Sequence, residues 1–269
     1  MLYRAHQPAP PLDAFVDYLW YVSDAPRHSR ERILPSGTVE LVVNLARDEI
    51  RVIDPRTRRL RRLSGALVSG TYREAFIIDT EAHASMIGVH FKPGGAGLLG
   101  VPAGSLADDH VELAALWGAD AAWLRERLCG ATSLDARFDI LEHALLARLR
   151  HARPRHPATQ FAIAELDGTG RSIASVVEEL GLSHRRLIEV FTADVGVAPK
   201  LFGRLRRFQR AWALGSASAT PAWSRLAVQT GYSDQSHLIR EFVAFAGAPP
   251  GELYRQSDVD VKEHHVAVA

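Results

Sequence analysis

The chain has 269 residues, of which 47% are hydrophobic and 23% charged, and its formal net charge is +1. That length favours two domains over one, and the composition excludes a disordered or fibrous chain. No run approaches the roughly 18 apolar residues of a membrane span, and the start MLYRAHQPAPP lacks a signal peptide's apolar core, so a cytoplasmic protein with no membrane partner is expected.

The first hundred residues carry β-branched and aromatic runs such as TVELVVNLA (38–46), EIRVID (49–54), EAFIID (74–79) and MIGVHF (86–91), which read as strands. Turn residues separate them: Pro35-Ser36-Gly37, Asp54-Pro55, Ser69-Gly70 and Lys92-Pro93-Gly94-Gly95, each able to supply special backbone angles. A β-rich sandwich or barrel is the predicted result. The lone cysteine, Cys129, lies at the end of an amphipathic stretch, LRERLCGA. It has no partner for an internal disulfide and is expected to be structural.

From about residue 110 the period becomes helical, and LDARFDILEHALLARLR (134–150) sets Leu134, Phe138, Leu141, Leu145 and Leu149 on one face. That face can pack on its own domain or serve as a dimer seam. The basic, proline-bearing segment RHARPRHP (150–157) ends the helix, because proline disfavours helical geometry in the residue before it. Domains are therefore predicted over 1–152 and 157–256, with 257–269 as a disordered tail. Charge divides the same way: residues 151–256 hold 13 Lys and Arg against 9 Asp and Glu, whereas residues 1–150 hold 18 against 19. Such an excess is compatible with a phosphate-binding face without demonstrating one.

The second part contains an internal repeat. Leu187, Ile188, Phe191, Gly196 and Pro199 recur 51 positions later as Leu238, Ile239, Phe242, Gly247 and Pro250. Each copy has the parts of a helix-turn-helix. In the first, over about 172–196, these are SIASVVEEL, Gly181, Ser183 and HRRLIEVFTADV; in the second, over about 222–247, they are AWSRLAVQT, Gly231, Ser233 or Asp234, and QSHLIREFVAFA. Glycine tolerates a left-handed turn, and the Ser or Asp oxygen can cap the helix that follows.

Leu187 with Phe191, and Leu238 with Phe242, lie one helical turn apart and should face the core. The opposite faces then present Arg185, Arg186 and Glu189, and Ser236, His237 and Arg240, side chains able to read base edges in a major groove. A solvated helix face is the common fate of such residues on one helix; two modules with matched turns, caps and cores make it a poor account here. Between the modules, PKLFGRLRRFQRAWALG (199–215) reads as one connecting helix, with Arg204, Arg206, Arg207 and Arg210 as candidate phosphate contacts. Ser183, Arg186 and Ser233, at the starts of the second helices, are further phosphate candidates.

These residues resemble the AraC/XylS family of bacterial transcription regulators over roughly 100 C-terminal residues. Ala227, Gly231, Tyr232, Ser233, Asp234, Leu238, Phe242, Gly247, Pro250 and Tyr254-Arg255 carry the resemblance. It implies an α+β N-terminal domain followed by an all-α, seven-helix DNA-binding domain that spans two adjacent major grooves of double-stranded DNA and recruits RNA polymerase. Base-reading positions carried over by the resemblance fall on His184, Arg185, Ile188 and Glu189, and on Gln235, Ser236, His237, Ile239 and Arg240. Val177 and Val243 depart from the family pattern, which favours alanine and a basic residue there. The N-terminal half resembles the family's cupin-like domains through LPSGTVELVVNL (34–45) and GVHFKPGGAGLLGVPAGSLAD (88–108). Such domains bind a small effector, form homodimers, or do both. No cofactor or metal is implied.

Two rivals differ in class. A metal-dependent cupin-type enzyme would use His83 and His90 with Glu40 or Glu81, but the chain lacks two histidines one residue apart followed by a glutamate. An alkyl-accepting role for Cys129 lacks the neighbouring thiols that would activate it.

Overall fold

Residues 2–112 fold into short strands in the computed structural model, which describes residues 2–23, 30–54, 57–80, 83–168, 171–256 and 265–267. Pro55, Glu81 and most of the 257–269 tail lie outside the described residues. The strands are β1 (Leu2–His6), β2 (Val16–Ser23), β3 (Glu31–Ile33), β4 (Glu40–Asn44), β5 (Ile50–Ile53), β6 (Leu60–Leu63), β7 (Ala66–Ser69), β8 (Phe76–Asp79), β9 (Ser85–Phe91) and β10 (His110–Glu112). They make two antiparallel sheets, one ordered β1-β2-β9-β4-β7-β10 and the other built on β3-β8-β5-β6.

Side chains alternate across the first sheet with the two-residue strand period. Leu19, Tyr21, Leu41, Val43, Ile87 and Val89 face a core shared with helices. Trp20, Val42, Leu67 and Met86 face the second sheet instead. Because both faces are covered, ELVVN and MIGVHF read as nearly continuous apolar runs.

Helices α1 (Leu113–Trp117), α2 (Ala119–Gly130) and α3 (Leu134–Arg148) cover the first sheet. Ser133 caps α3 by accepting from Ala136 N at 3.2 Å. Phe138, Leu141 and Leu145 are buried in the domain's own core, with Leu134 and Leu149 packed against it. The apolar face of α3 therefore packs on its own domain. Cys129 differs from its expected structural role: it is exposed, and its thiol makes one weak contact to Leu45 O at 3.7 Å. Its position on α2 falls outside the buried stripe of Ala121, Leu124 and Leu128.

The C-terminal half comprises α4 (Pro157–Gly168), α5 (Ile173–Leu180), α6 (His184–Val195), α7 (Pro199–Ser216), α8 (Trp223–Gln229), α9 (Gln235–Ala246) and α10 (Pro250–Gln256). Leu187, Phe191, Phe202, Leu205, Phe208, Leu238 and Phe242 meet in one core, each burial contributing about 1.5–3 kcal/mol. Phe208 packs on Phe242 and Phe245 with ring centroids 4.7 and 5.4 Å apart, edge contacts that fix α7 against α9.

The end of the chain departs from the disordered tail expected of it. His265–Ala267 forms β11, which pairs antiparallel with β3 at the edge of the second sheet. Pairing satisfies backbone groups that a lone edge strand would leave open, and Val266 is fully buried in the core of the C-terminal half.

The two halves are also joined directly. Thr71 Oγ1 donates to Val195 O at 2.8 Å, Ala75 N donates to Phe245 O at 2.6 Å, and Gln209 Nε2 donates to Pro35 O. The connecting segment lies on the N-terminal half through Arg153 N to Gly97 O, 2.9 Å, and Arg155 Nε to Gly94 O, 3.1 Å.

Candidate nucleic-acid interface

The repeat read from sequence is a repeat of backbone geometry. Gly181 and Gly231 turn the chain between the two helices of each module at φ of 62° and 84°, the left-handed region that a Cβ disfavours. Ser183 Oγ then accepts from Arg186 N at 3.1 Å to start α6. In the second module the cap is Asp234, whose Oδ1 accepts from His237 N at 2.7 Å. That backbone N–H, aided by Ser233 and Arg240, holds the Asp234 carboxyl below the usual carboxylate range. Each second helix has 12 residues.

The N-terminal turns of α6 and α9 point outward. His184, Arg185, Ile188 and Glu189 are exposed on α6, and Gln235, Ser236 and Arg240 on α9. Two other sequence candidates are less open. His237 is half-buried, with Nδ1 3.2 Å from Ser233 Oγ and its ring edge-on to Tyr232, and Ile239 packs partly into the reader's core. Arg186 pairs with Glu189 at 3.1 Å on the surface of α6, an exposed contact that costs little to exchange for a phosphate. Val177 is accommodated in the core, and Val243 is 46% exposed.

A wide cleft separates the modules, lined by Arg171, Lys200, Arg204, Arg207, Arg210 and His237 among others. The connector arginines facing it are not loose cations. Arg204 donates from Nε to Glu241 at 3.0 Å, Arg207 Nη1 donates to Gly231 O at 3.0 Å while lying over the Tyr232 ring, and Arg210 holds Asp167. Arg206 also pairs with Asp167, at 2.9 Å, and does not line the cleft. Sequence reasoning named these four as phosphate contacts; it missed that each braces a helix or turn of the reader. Arg171 and Lys200 went unnamed, and only the cleft's shape brings them forward.

A second concave feature lies between the two sheets of the N-terminal half, a cavity of about 120 Å³ walled by Trp20, Ile33, Leu67, Tyr72 and Phe76. Three polar pairs bound it. Glu31 Oε2 meets His265 Nδ1 at 2.8 Å, Glu40 Oε1 meets His90 Nδ1 at 2.8 Å, and Tyr72 OH contacts His110 Nδ1. Burial drives the His110 imidazole down to about 3 and the Tyr72 phenol upward, so the hydroxyl donates to a neutral ring. His90 also bonds Thr38 at 3.1 Å and stacks on Tyr18. Among the described residues no three His, Cys, Asp or Glu side chains are grouped as metal ligands; His90 pairs with Glu40.

Residues 4–112 match a family described as a domain of unknown function, DUF6597, and residues 176–256 match a helix-turn-helix domain family. No curated protein matches the chain. Solved structures of ToxT from Vibrio cholerae share its fold. An apo form matches at a TM-score of 0.51 and 12% identity over 88% of this chain and 97% of that one. Another ToxT structure matches at 0.50 and 11% over 95% and 98%. ToxT bound to (E)-4-(8-methylnaphthalen-1-yl)but-3-enoic acid matches at 0.50 and 12% over 95% and 99%. At these identities the likeness is one of fold.

Proposed function

The chain carries an AraC-type helix-turn-helix domain behind a β-rich N-terminal domain, and from that premise we propose a sequence-specific transcription regulator that reads two adjacent major grooves. The observation that carries this is the pair of exposed helix starts, on α6 and α9, set on either side of a cation-lined cleft and joined by one rigid helix. The 18 residues of α7 span about 27 Å at 1.5 Å per residue, a length suited to grooves about 34 Å apart on one DNA face.

Arg185 and Arg240 are the expected guanine readers, Glu189 can accept from cytosine, and Gln235 can pair with adenine. His184, Ser236 and His237 add polar contacts, and Ile188, 46% exposed, can meet a thymine methyl group. Arg171, Lys200 and Arg207 face the cleft where phosphates would pass. RNA polymerase is the partner that such a regulator would recruit.

The N-terminal domain is proposed to sense a small effector. Its inter-sheet cavity supports this, as does the complex of ToxT with a butenoic acid. Transmission requires the effector to bind two arrangements of the halves with different affinity.

The test is selection of genomic fragments on the purified full-length chain, followed by titration of the best fragment and a scrambled control across salt. Sites with two half-elements about 10 base pairs apart, bound at least about a thousandfold tighter than the control, are expected. No enrichment, with weak binding that salt abolishes, would overturn the reading.

A further inference from the structure

The cavity between the sheets has a chemical bias that narrows what it can hold. Glu31 and Glu40 line it, and neither lysine nor arginine stands among its described lining residues. Each carboxyl group bonds a histidine, Glu31 to His265 and Glu40 to His90. Trp20, Tyr72 and Phe76 supply aromatic walls, whose electron-rich faces attract cations most strongly where water is excluded. An anion would meet two carboxyl groups; a cation meets both complements at once.

We propose that this cavity takes a small organic cation, a protonated or quaternary amine with a compact apolar body, held between the Glu31 and Glu40 carboxyl groups and the rings of Trp20, Tyr72 and Phe76. The proposal rests on reading the N-terminal domain as a sensor. At about 120 Å³ the cavity is close to the ~150 Å³ that houses one benzene in an engineered core, which limits the guest to that scale. His110, kept neutral by burial, adds no competing charge.

The same wall reaches the reader. Glu31, Ile33 and Leu34 line the cavity, and Leu34 and Val266 pack into the reader's core. On β11, His265 touches Glu31 and the next residue is Val266. A guest that shifts the Glu31–His265 pair therefore moves a strand rooted in the DNA-binding half.

The experiment is calorimetric titration of the full-length chain with three shape-matched probes: choline, its uncharged carbon isostere neohexanol, and the anion tert-butylacetate. Choline is expected to bind at least about tenfold tighter than neohexanol, with tert-butylacetate weakest. Glu40→Gln, on a strand independent of the tail, is expected to weaken choline about tenfold and leave neohexanol unchanged; Glu31→Gln provides a second such variant, with melting curves verifying that each folds. Neohexanol or tert-butylacetate binding as tightly as choline would overturn the cation assignment while leaving a small-molecule sensor. Binding of none of the three would overturn the site itself, and DNA titration of the same preparation would show separately whether the regulator reading stands.

Discussion

Arg204 on α7 grips Glu241 on α9 through Nε and Nη2, with Nε 3.0 and 3.2 Å from the two carboxylate oxygens. The Glu241 side chain is 9% exposed and that of Arg204 is 37% exposed. The guanidinium also lies 5.1 Å from the Phe245 ring centre. Arg204, a phosphate candidate in the sequence, thus also ties α7 to α9.

Removing either partner leaves the other stranded, and the more buried group suffers more. Arg204→Ala is therefore expected to cost more stability than Glu241→Ala, both within about 1–4 kcal/mol. Urea unfolding of the two variants measures the order. A reversed order would mean that solvent reaches and screens the Glu241 carboxylate once Arg204 is gone.

Arg240→Ala is expected to cost about 1–3 kcal/mol on the selected operator and little on random DNA, as loss of a base contact should. Arg207→Ala is expected to weaken both and to lower the salt slope by about one. Because Arg207 also holds the Gly231 carbonyl, its loss should lower the melting temperature too. Equal losses on both DNAs for Arg240→Ala would make it a phosphate contact.

The reader was legible because it is written twice. Gly181 with Gly231, and the paired sets Leu187, Phe191 and Leu238, Phe242, constrain one another in a way that no single helix does, and the turns those glycines make have φ values of 62° and 84°. What the sequence hid was long-range pairing. Glu241 lies 37 residues from Arg204, and Asp167 lies 43 residues from Arg210, so basic residues on an amphipathic helix looked free. The same holds for β11: three residues have no period to detect, and the Glu31–His265 contact spans 234 positions. The exposed Cys129 reflects a related limit, since a short amphipathic stretch does not say which face its last turn presents.

Ser183 separates capping from DNA contact. Its Oγ caps α6, so Ser183→Ala is expected to cost about 1 kcal/mol of stability with no DNA present. Ser183→Asp keeps the cap and adds a negative charge at the helix start, where it complements the dipole. If a phosphate lies beside this residue in the complex, Ser183→Asp will fold as well as the parent yet bind DNA at least about tenfold more weakly at low salt. Unchanged DNA affinity would confine Ser183 to capping.

Acid should loosen the N-terminal half through His110. Burial holds this imidazole down to about 3 in the folded chain, against about 6.5 when unfolded. Between those values the unfolded chain binds a proton that the folded chain refuses, so the contribution to stability is full above pH 6.5 and falls as pH drops towards 3. Linkage puts the loss near 2 kcal/mol at about pH 5. Urea midpoints followed from about pH 8 to 5 for the parent and for His110→Gln check this: the variant's slope should be shallower, and identical slopes would assign the acid sensitivity to other groups.

Ending the chain after Gln256 tests whether the tail belongs to the second sheet. The truncation removes Val266, which is fully buried, and burial of such a side chain contributes about 1.5–3 kcal/mol. It also strips the β3 edge of its pairing at Arg32 and Ile33 and takes His265 from Glu31. Hydrogen exchange should therefore quicken at the β3 amides and in the reader's core near Leu253, while the middle of the six-stranded sheet, β9 and β4, keeps its protection. Unaltered exchange at β3 would mean that the strand is not paired with β11 in solution, and the link from the cavity to the C-terminal half would then have to run through Leu34 and the Pro35–Gln209, Thr71–Val195 and Ala75–Phe245 contacts.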